Sequence, residues 1–185
     1  MTTPRYSITT RFGDAGKTRL FSGETVLKCD PRPEAYGDLD ELVSVLGVAR
    51  CHCRHASSIE LVLWLQRQLF VIGSELATTG EAVARLPRRC DAALLADLDQ
   101  RRDQLEASIT MPTGFIIPGG LPGSAHLDHA RTIARRLERK VVALAQHGRL
   151  DNESLLAWLN RLSDLLWLLA RAEEDQPIMV RQTPA

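Results

Sequence analysis

From residue 30 onward apolar residues recur every three or four positions rather than every two, the period of a helix that buries one face. Five helices follow from this pattern. Asp30 stands before Pro31 as an N-cap with proline in the first turn, where its missing N–H costs nothing. Leu39, Leu42, Val43, Leu46 and Ala49 then form the buried stripe. A second helix opens at Ser57, which with Glu60 has the spacing of a capping box. It carries Val62, Leu65, Leu69, Ile72 and Leu76 and ends near Thr79 and Gly80. The third runs from about Asp91 to Ala107 with Leu94, Leu98 and Leu105 on one face, and its many charges make it the most exposed. In the fourth, Leu127, Ala130, Ala134, Leu137, Val141 and Leu144 alternate spacings of three and four. In the fifth, Leu155, Leu159, Leu162, Leu166 and Leu169 do the same. That is the seam of helices packed nearly antiparallel. Gly148 stops one helix and Asp151 caps the next.

Two stretches escape the pattern, the first thirty residues and the Gly- and Pro-rich segment Thr110 to Gly123, which is read as non-helical. Irregular segments on a rigid bundle are where ligands are held. Residues 1–176 are read as a single domain with its N-terminal thirty residues as a separate loop region. The tail 177–185 is expected to be disordered. The fold class is therefore all-α.

A chain of 185 residues is long enough for one well-buried core. Lys and Arg number 23 against 23 Asp and Glu, so no net charge draws the chain to nucleic acid or to anionic lipid. Even the richest apolar stretch, Leu155 to Ala170, is interrupted by Asn160, Arg161, Ser163 and Asp164, which argues against a membrane span. The N-terminal MTTPRYSITTRFGDAG lacks the apolar core of a secretory signal, so a cytoplasmic protein with free thiols is expected.

Gly16-Lys17-Thr18 suggests a phosphate loop, but the glycine required five residues before Gly16 is Arg11, and no strand–helix context surrounds it. What remains is the turn Gly13-Asp14-Ala15-Gly16-Lys17-Thr18, flanked by Arg11 and Arg19. Such a turn can aim backbone N–H groups and cations at a polyphosphate, although a plain surface turn has the same composition. On the fourth helix Asp128, Arg131, Arg135, Glu138 and Val142 share one face, with Arg136 and Arg139 on adjacent stripes. Such a stripe is either a solvated face of ion pairs or a binder of a multiply charged anion. Phe115, in Gly114-Phe115-Ile116-Ile117, fits equally a short strand tucked into the core, with the ring as packing, and a loop that holds a ligand. Asn160, Asp164, Trp167 and Arg171 on the fifth helix read as a solvent-facing polar stripe. Cys51-His52-Cys53-Arg54-His55 contains metal-ligating types without a second pair at ligand spacing, and no metal site is assigned.

Five segments in this order resemble the PduO-type ATP:cob(I)alamin adenosyltransferases. They are TRFGDAGKTRLFSGETVLKCDPRPEAYGDLDEL (10–42), LFVIGSELAT (69–78), FIIPGG (115–120), HARTIARRLERKVV (129–142) and LNRLSDLLWLLAR (159–171). The resemblance covers about residues 8 to 172. It implies a five-helix bundle that assembles as a homotrimer, with ATP and cobalamin bound where subunits meet. It also implies transfer of the 5′-deoxyadenosyl group of ATP to the cobalt of cob(I)alamin, with Mg²⁺ accompanying the triphosphate.

By the same resemblance Thr10, Arg11, Gly13, Asp14, Gly16, Thr18, Arg19 and Lys28 contact ATP, chiefly its phosphates. Arg135, Glu138, Arg139 and Asn160 match the other nucleotide-binding positions. Asp40 pairs with Arg131 across neighbouring subunits, and Phe115 lies under the corrin ring, displacing the lower axial ligand. A reductase and an adenosylcobalamin-dependent enzyme are the implied partners. The chain departs from the pattern at Arg11 and Ala15, where lysines are usual, at Asp128, where a histidine is usual, and at Leu137, where an alanine is usual. The rival readings are a non-catalytic ATP or corrinoid carrier or sensor on the same trimer, and a plain helical interaction module.

Overall fold

The computed structural model describes residues 9–181. A short hairpin, β1 (Lys17–Arg19) and β2 (Thr25–Leu27), precedes two helices, α1 (Pro31–His52) and α2 (Ala56–Leu76). A 3₁₀ turn over Gly80–Arg85 leads to α3 (Ala92–Ser108), β3 (Ile116–Ile117), α4 (Pro122–Gln146), α5 (Glu153–Ala172) and β4 (Ile178–Met179). The five expected α-helices are all present. α4 packs against both α1 and α5, α3 docks on α5, and α2 packs on α1. The two leucine seams lie between these helices: Leu127, Leu137, Val141, Leu155, Leu159, Leu162, Leu166 and Leu169 are fully buried. α3 is the most exposed helix, burying only Leu94 and Leu98.

The helix ends show where local sequence was overruled. Asp30 caps α1 as expected, its Oδ1 accepting from the Arg32 N–H at 2.9 Å. It also accepts from Nη2 of Arg149 at 2.8 Å, joining the start of α1 to the α4–α5 turn. Ser57 does not cap α2. The helix begins one residue earlier, and Glu173, at the end of α5, accepts from the N–H groups of Arg54 at 2.7 Å and His55 at 3.2 Å. The carboxylate brought in by tertiary packing holds the two N–H groups just before the helix, and the Ile59 N–H already donates to the His55 carbonyl, so Ser57 lies inside α2. The cap of α5 is Asn152, not Asp151: the Asn152 side chain accepts from the Leu155 N–H and donates to the Cys90 carbonyl at 2.9 Å. Asn152 can do both because an amide carries donor and acceptor, whereas a carboxylate only accepts.

The irregular segments are more ordered than expected. The N-terminal region contains the β1–β2 hairpin, and the loop after α3 contains β3, with Pro122 and Gly123 already inside α4. Gly123 is required by close approach: a Cβ there would lie 2.8 Å from the His52 carbonyl oxygen. The tail is a correction too, because Ile178–Met179 pairs with β3 in antiparallel register, Ile116 opposite Met179 and Ile117 opposite Ile178. Backbone pairing depends on what lies alongside, which composition does not reveal. Residues 182–185 lie outside the described residues.

Burial acts to raise the Asp30 carboxyl, but the Arg32 N–H and the Arg149 guanidinium outweigh it and hold the group below its ordinary value. A depressed carboxyl contributes stability above its unfolded value of about 3.9 and loses it as pH falls through the folded value. Asp30→Ala is therefore expected to cost about 1–2 kcal/mol in denaturant unfolding near neutral pH, with the difference from wild type shrinking below about pH 4.

Candidate functional site

The turn preceding β1 is built from short backbone bonds: the Asp14 N–H donates to the Arg11 carbonyl, that of Gly16 to Gly13 and that of Lys28 to Gly16. Gly16 has φ +73°, and Arg11 holds φ +58°, a left-handed conformation costly for a non-glycine residue. Lys28 folds over Gly13, where a Cβ would sit 2.8 Å from its Nζ. Thr10, Arg11, Asp14, Gly16, Arg19 and Lys28 are exposed, and Gly13 and Thr18 half-buried. Lys17 opens a strand rather than a helix, as the rejection of a phosphate loop requires. The hairpin is anchored to the end of α2, its Phe21 N–H donating to the Ala77 carbonyl at 2.8 Å. A rigid bundle end thus presents a cation-bearing turn to solvent.

A second group lies on α4 and α5. Arg135, Glu138, Arg139, Val142 and Asn160 line one cavity of about 250 Å³, and Asn160 Nδ2 donates to Glu138 Oε1 at 3.0 Å. Arg135 and Arg139 make no ion pair among the described residues. The outer face of α4 is therefore not simply a laced surface. Arg136 and Lys140 do serve structure, reaching Asp38 of α1 at 3.1 and 3.0 Å. None of residues 10–28 borders this cavity, so one copy of the chain holds the expected nucleotide residues in two separate places.

The third group surrounds Phe115. A cavity of about 490 Å³ is bordered by the 112–118 loop and by Asp128, Arg131, Trp167 and Arg171. Phe115 is 87% exposed, so of the two readings the strand tucked into the core is the one that fails. Alternation along β3 and β4, with the Val180 N–H donating to the Phe115 carbonyl at 2.9 Å, puts Phe115, Ile117, Ile178 and Val180 on one face. All four are exposed large apolar side chains.

Arg171 is a second correction, since it is 6% exposed rather than solvent-facing. Asp128 Oδ2 accepts from its Nη2 at 2.6 Å, and Asp128 Oδ1 from Arg131 Nε at 3.0 Å. Hydrophobic periodicity gave no sign that this arginine turns inward. The available signal was the i, i+3 spacing of Asp128 and Arg131. Asp40 is exposed and pairs with no cation among the described residues.

In the Cys51–His55 segment, burial and the nearby Glu173 push the Cys53 thiol up to about 12, leaving a poor ligand. His52 instead stacks on His126 with ring centroids 5.3 Å apart. Among the described residues no three His, Cys, Asp or Glu side chains gather as a metal site, and no helix is long and apolar enough to cross a membrane.

The model of the cobalamin adenosyltransferase family matches residues 8–173, nearly the whole chain. The chain belongs to the cobalamin adenosyltransferase family. A corrinoid adenosyltransferase of Citrobacter freundii is 41% identical over 172 residues, covering 93% of this chain and 97% of the relative. The corrinoid adenosyltransferase PduO of Salmonella typhimurium is 39% identical over 169 residues, and the match spans 91% of this chain but only 50% of that protein. The fold agrees as well. A variant of a PduO-type ATP:corrinoid adenosyltransferase from Lactobacillus reuteri, complexed with cobalamin and ATP, superposes with a TM-score of 0.85 at 29% identity, covering 95% of this chain and all of that one. Among adenosyltransferases the mostly helical architecture is thus the family's own.

Proposed function

We propose that this chain transfers the 5′-deoxyadenosyl group of ATP to the cobalt of cob(I)alamin, forming adenosylcobalamin and releasing triphosphate. The observation that carries the reading, beside the family match, is Phe115. It is an aromatic ring held 87% exposed on an apolar two-stranded sheet at the mouth of a cavity that Arg131 also borders. Exposed apolar faces mark binding surfaces, and this one suits a broad, flat, largely apolar ligand such as a corrin.

Reduced cobalt is itself the nucleophile: its electron pair forms the bond to C5′ of the ribose while the C5′–O bond breaks and the triphosphate leaves with its electrons. No serine or cysteine nucleophile is required. The chain's own share is placement and charge. Phe115 occupies the side of the corrin from which the lower axial ligand is displaced, which eases reduction of the metal by removing a donor. The turn residues Thr10, Arg11, Gly13, Asp14, Gly16, Thr18, Arg19 and Lys28 cradle phosphates. Arg135, Glu138, Arg139 and Asn160 hold the rest of the nucleotide, with guanidinium groups opposing the charge that develops on the leaving group. Mg²⁺ would arrive on the triphosphate.

A homotrimer with sites between subunits belongs to the same reading. It is supported by the separation of the two nucleotide groups in one chain and by the large exposed side chains Phe21 and Phe70. The unpaired Asp40 of one copy and the open amino groups of Arg131 of the next suit the expected pair. A reductase must supply cob(I)alamin and an adenosylcobalamin-dependent enzyme consume the product. The four unpaired cysteines suit a cytoplasmic location.

The deciding assay is anaerobic visible absorbance with chemically reduced cob(I)alamin, ATP, Mg²⁺ and purified protein. Protein- and ATP-dependent conversion to adenosylcobalamin, with triphosphate released, is expected. Binding of ATP without conversion would leave a carrier or sensor. In thermal unfolding, ATP with Mg²⁺ at a hundred times its Kd should stabilise by about 2.7 kcal/mol, a Tm rise of roughly 5–10 °C, whereas a plain interaction module would not respond.

A further inference from the structure

We propose that Asp128 is a positioning residue for Arg131, tethering that guanidinium beside the Phe115 cavity so that its terminal amino groups stay open for Asp40 of the next copy. The inference rests on the adenosyl-transfer reading above. Asp128 is 3% exposed and serves arginines from two helices at once: Oδ1 takes Nε of Arg131 on α4 at 3.0 Å, and Oδ2 takes Nη2 of Arg171 on α5 at 2.6 Å. Arg171 is held from its other side by Glu174, with Nε 3.0 Å from Oε2 and Nη2 3.0 Å from Oε1. It also lies over the Trp167 ring, 5.3 Å from the centroid. The carboxylate is therefore pinned to α5 and cannot swing with Arg131.

Arg131 differs from Arg171 in what it leaves open. Its only bond among the described residues is through Nε, so both terminal amino groups keep their donors. Its side chain is 25% exposed and borders the Phe115 cavity. A free arginine loses rotamer entropy when it is fixed, and a tether at Nε removes much of that loss before the partner carboxylate arrives. The shared carboxylate also offsets two positive charges in a half-buried place. A neutral histidine, usual at this position in the family pattern, accepts through one nitrogen only and cannot hold both arginines. The departure at 128 thus preserves the arginine site rather than vacating it.

Asp128→Asn tests this. The variant keeps the side-chain shape, and Arg171 keeps Glu174 as counterion. Loss of the tether should lower kcat about 10- to 100-fold, the scale of an ångström-sized misplacement. KM for ATP should stay within about threefold, because Arg135, Glu138, Arg139 and Asn160 border a different cavity. In electron paramagnetic resonance of cob(II)alamin bound with ATP, the fraction lacking coupling to the lower axial nitrogen should fall. On an Arg131→Lys background, which has no Nε to tether, Asp128→Asn should add less than a twofold loss. If the single variant does not fold, Asp128→Asn on an Arg171→Met, Glu174→Gln background, read against that background alone, removes the buried charges of α5 together and carries the same expectation. A wild-type protein without activity would overturn the adenosyl-transfer reading itself. An active wild type with Asp128→Asn within twofold of it, or additive on Arg131→Lys, would overturn the positioning role.

Discussion

Phe115→Ala is expected to lower adenosylation from cob(II)alamin under reduction by about 10- to 150-fold while leaving ATP affinity within about threefold. A phenyl ring buried against a ligand contributes about 1.5–3 kcal/mol, and that energy is lost from the step in which the corrin is seated and its lower ligand displaced. The ring is 87% exposed in the unliganded chain, so its removal should change folding stability by less than about 0.5 kcal/mol. The effect is therefore readable as function rather than as unfolding. The measurements are anaerobic absorbance for adenosylcobalamin and calorimetry for ATP. A variant that binds ATP normally and reacts as fast as wild type would sink the axial-displacement role. Loss of ATP binding would place Phe115 at the wrong ligand.

The largest stability effect should come from Glu75, which is 1% exposed near the end of α2. Its Oε1 accepts from Arg89 Nη2 at 3.0 Å and from Asn152 Nδ2 at 2.7 Å, and its Oε2 from the Cys90 N–H at 3.0 Å. One carboxylate thus joins α2, the approach to α3 and the cap of α5. Glu75→Ala leaves the buried Cys90 N–H without an acceptor, takes one of two acceptors from the Asn152 amide and leaves Arg89 without its counterion. A cost of about 3–5 kcal/mol is expected, lowering Tm by roughly 6–20 °C. Glu75→Gln, which keeps an acceptor oxygen, should lose less. A Tm for the alanine variant within 2 °C of wild type would mean that the end of the bundle does not depend on this carboxylate.

Neither Glu75 nor Glu173 stood out in the sequence, because a buried acid on a helix reads like any surface glutamate until its partners are known. Leu155, Leu159, Leu162, Leu166 and Leu169, by contrast, were identifiable at once, since burial of a helix face imposes a period of three and four on the residues that form it. The same logic failed for Arg171, which lies next to Leu169 and Ala170 and turns inward to a carboxylate on another helix. It failed again at Ile178–Met179, where a strand exists because β3 runs alongside.

The chain's own order of residues determined five amphipathic helices, the Asp30 cap, a glycine-bearing cationic turn and an arginine-bearing α4. It also carried the motif order that marks the family. These depend on neighbours within about one helical turn or on a repeating period, which a sequence records directly. Tertiary structure alone decided that Glu173 holds the N–H groups of Arg54 and His55 before α2, that Phe115 is presented rather than buried, and that Asp128 joins Arg131 to Arg171. Each of those depends on which distant segment supplies the partner. A polar or aromatic side chain, unlike a leucine in a seam, has no preferred side until that partner is in place.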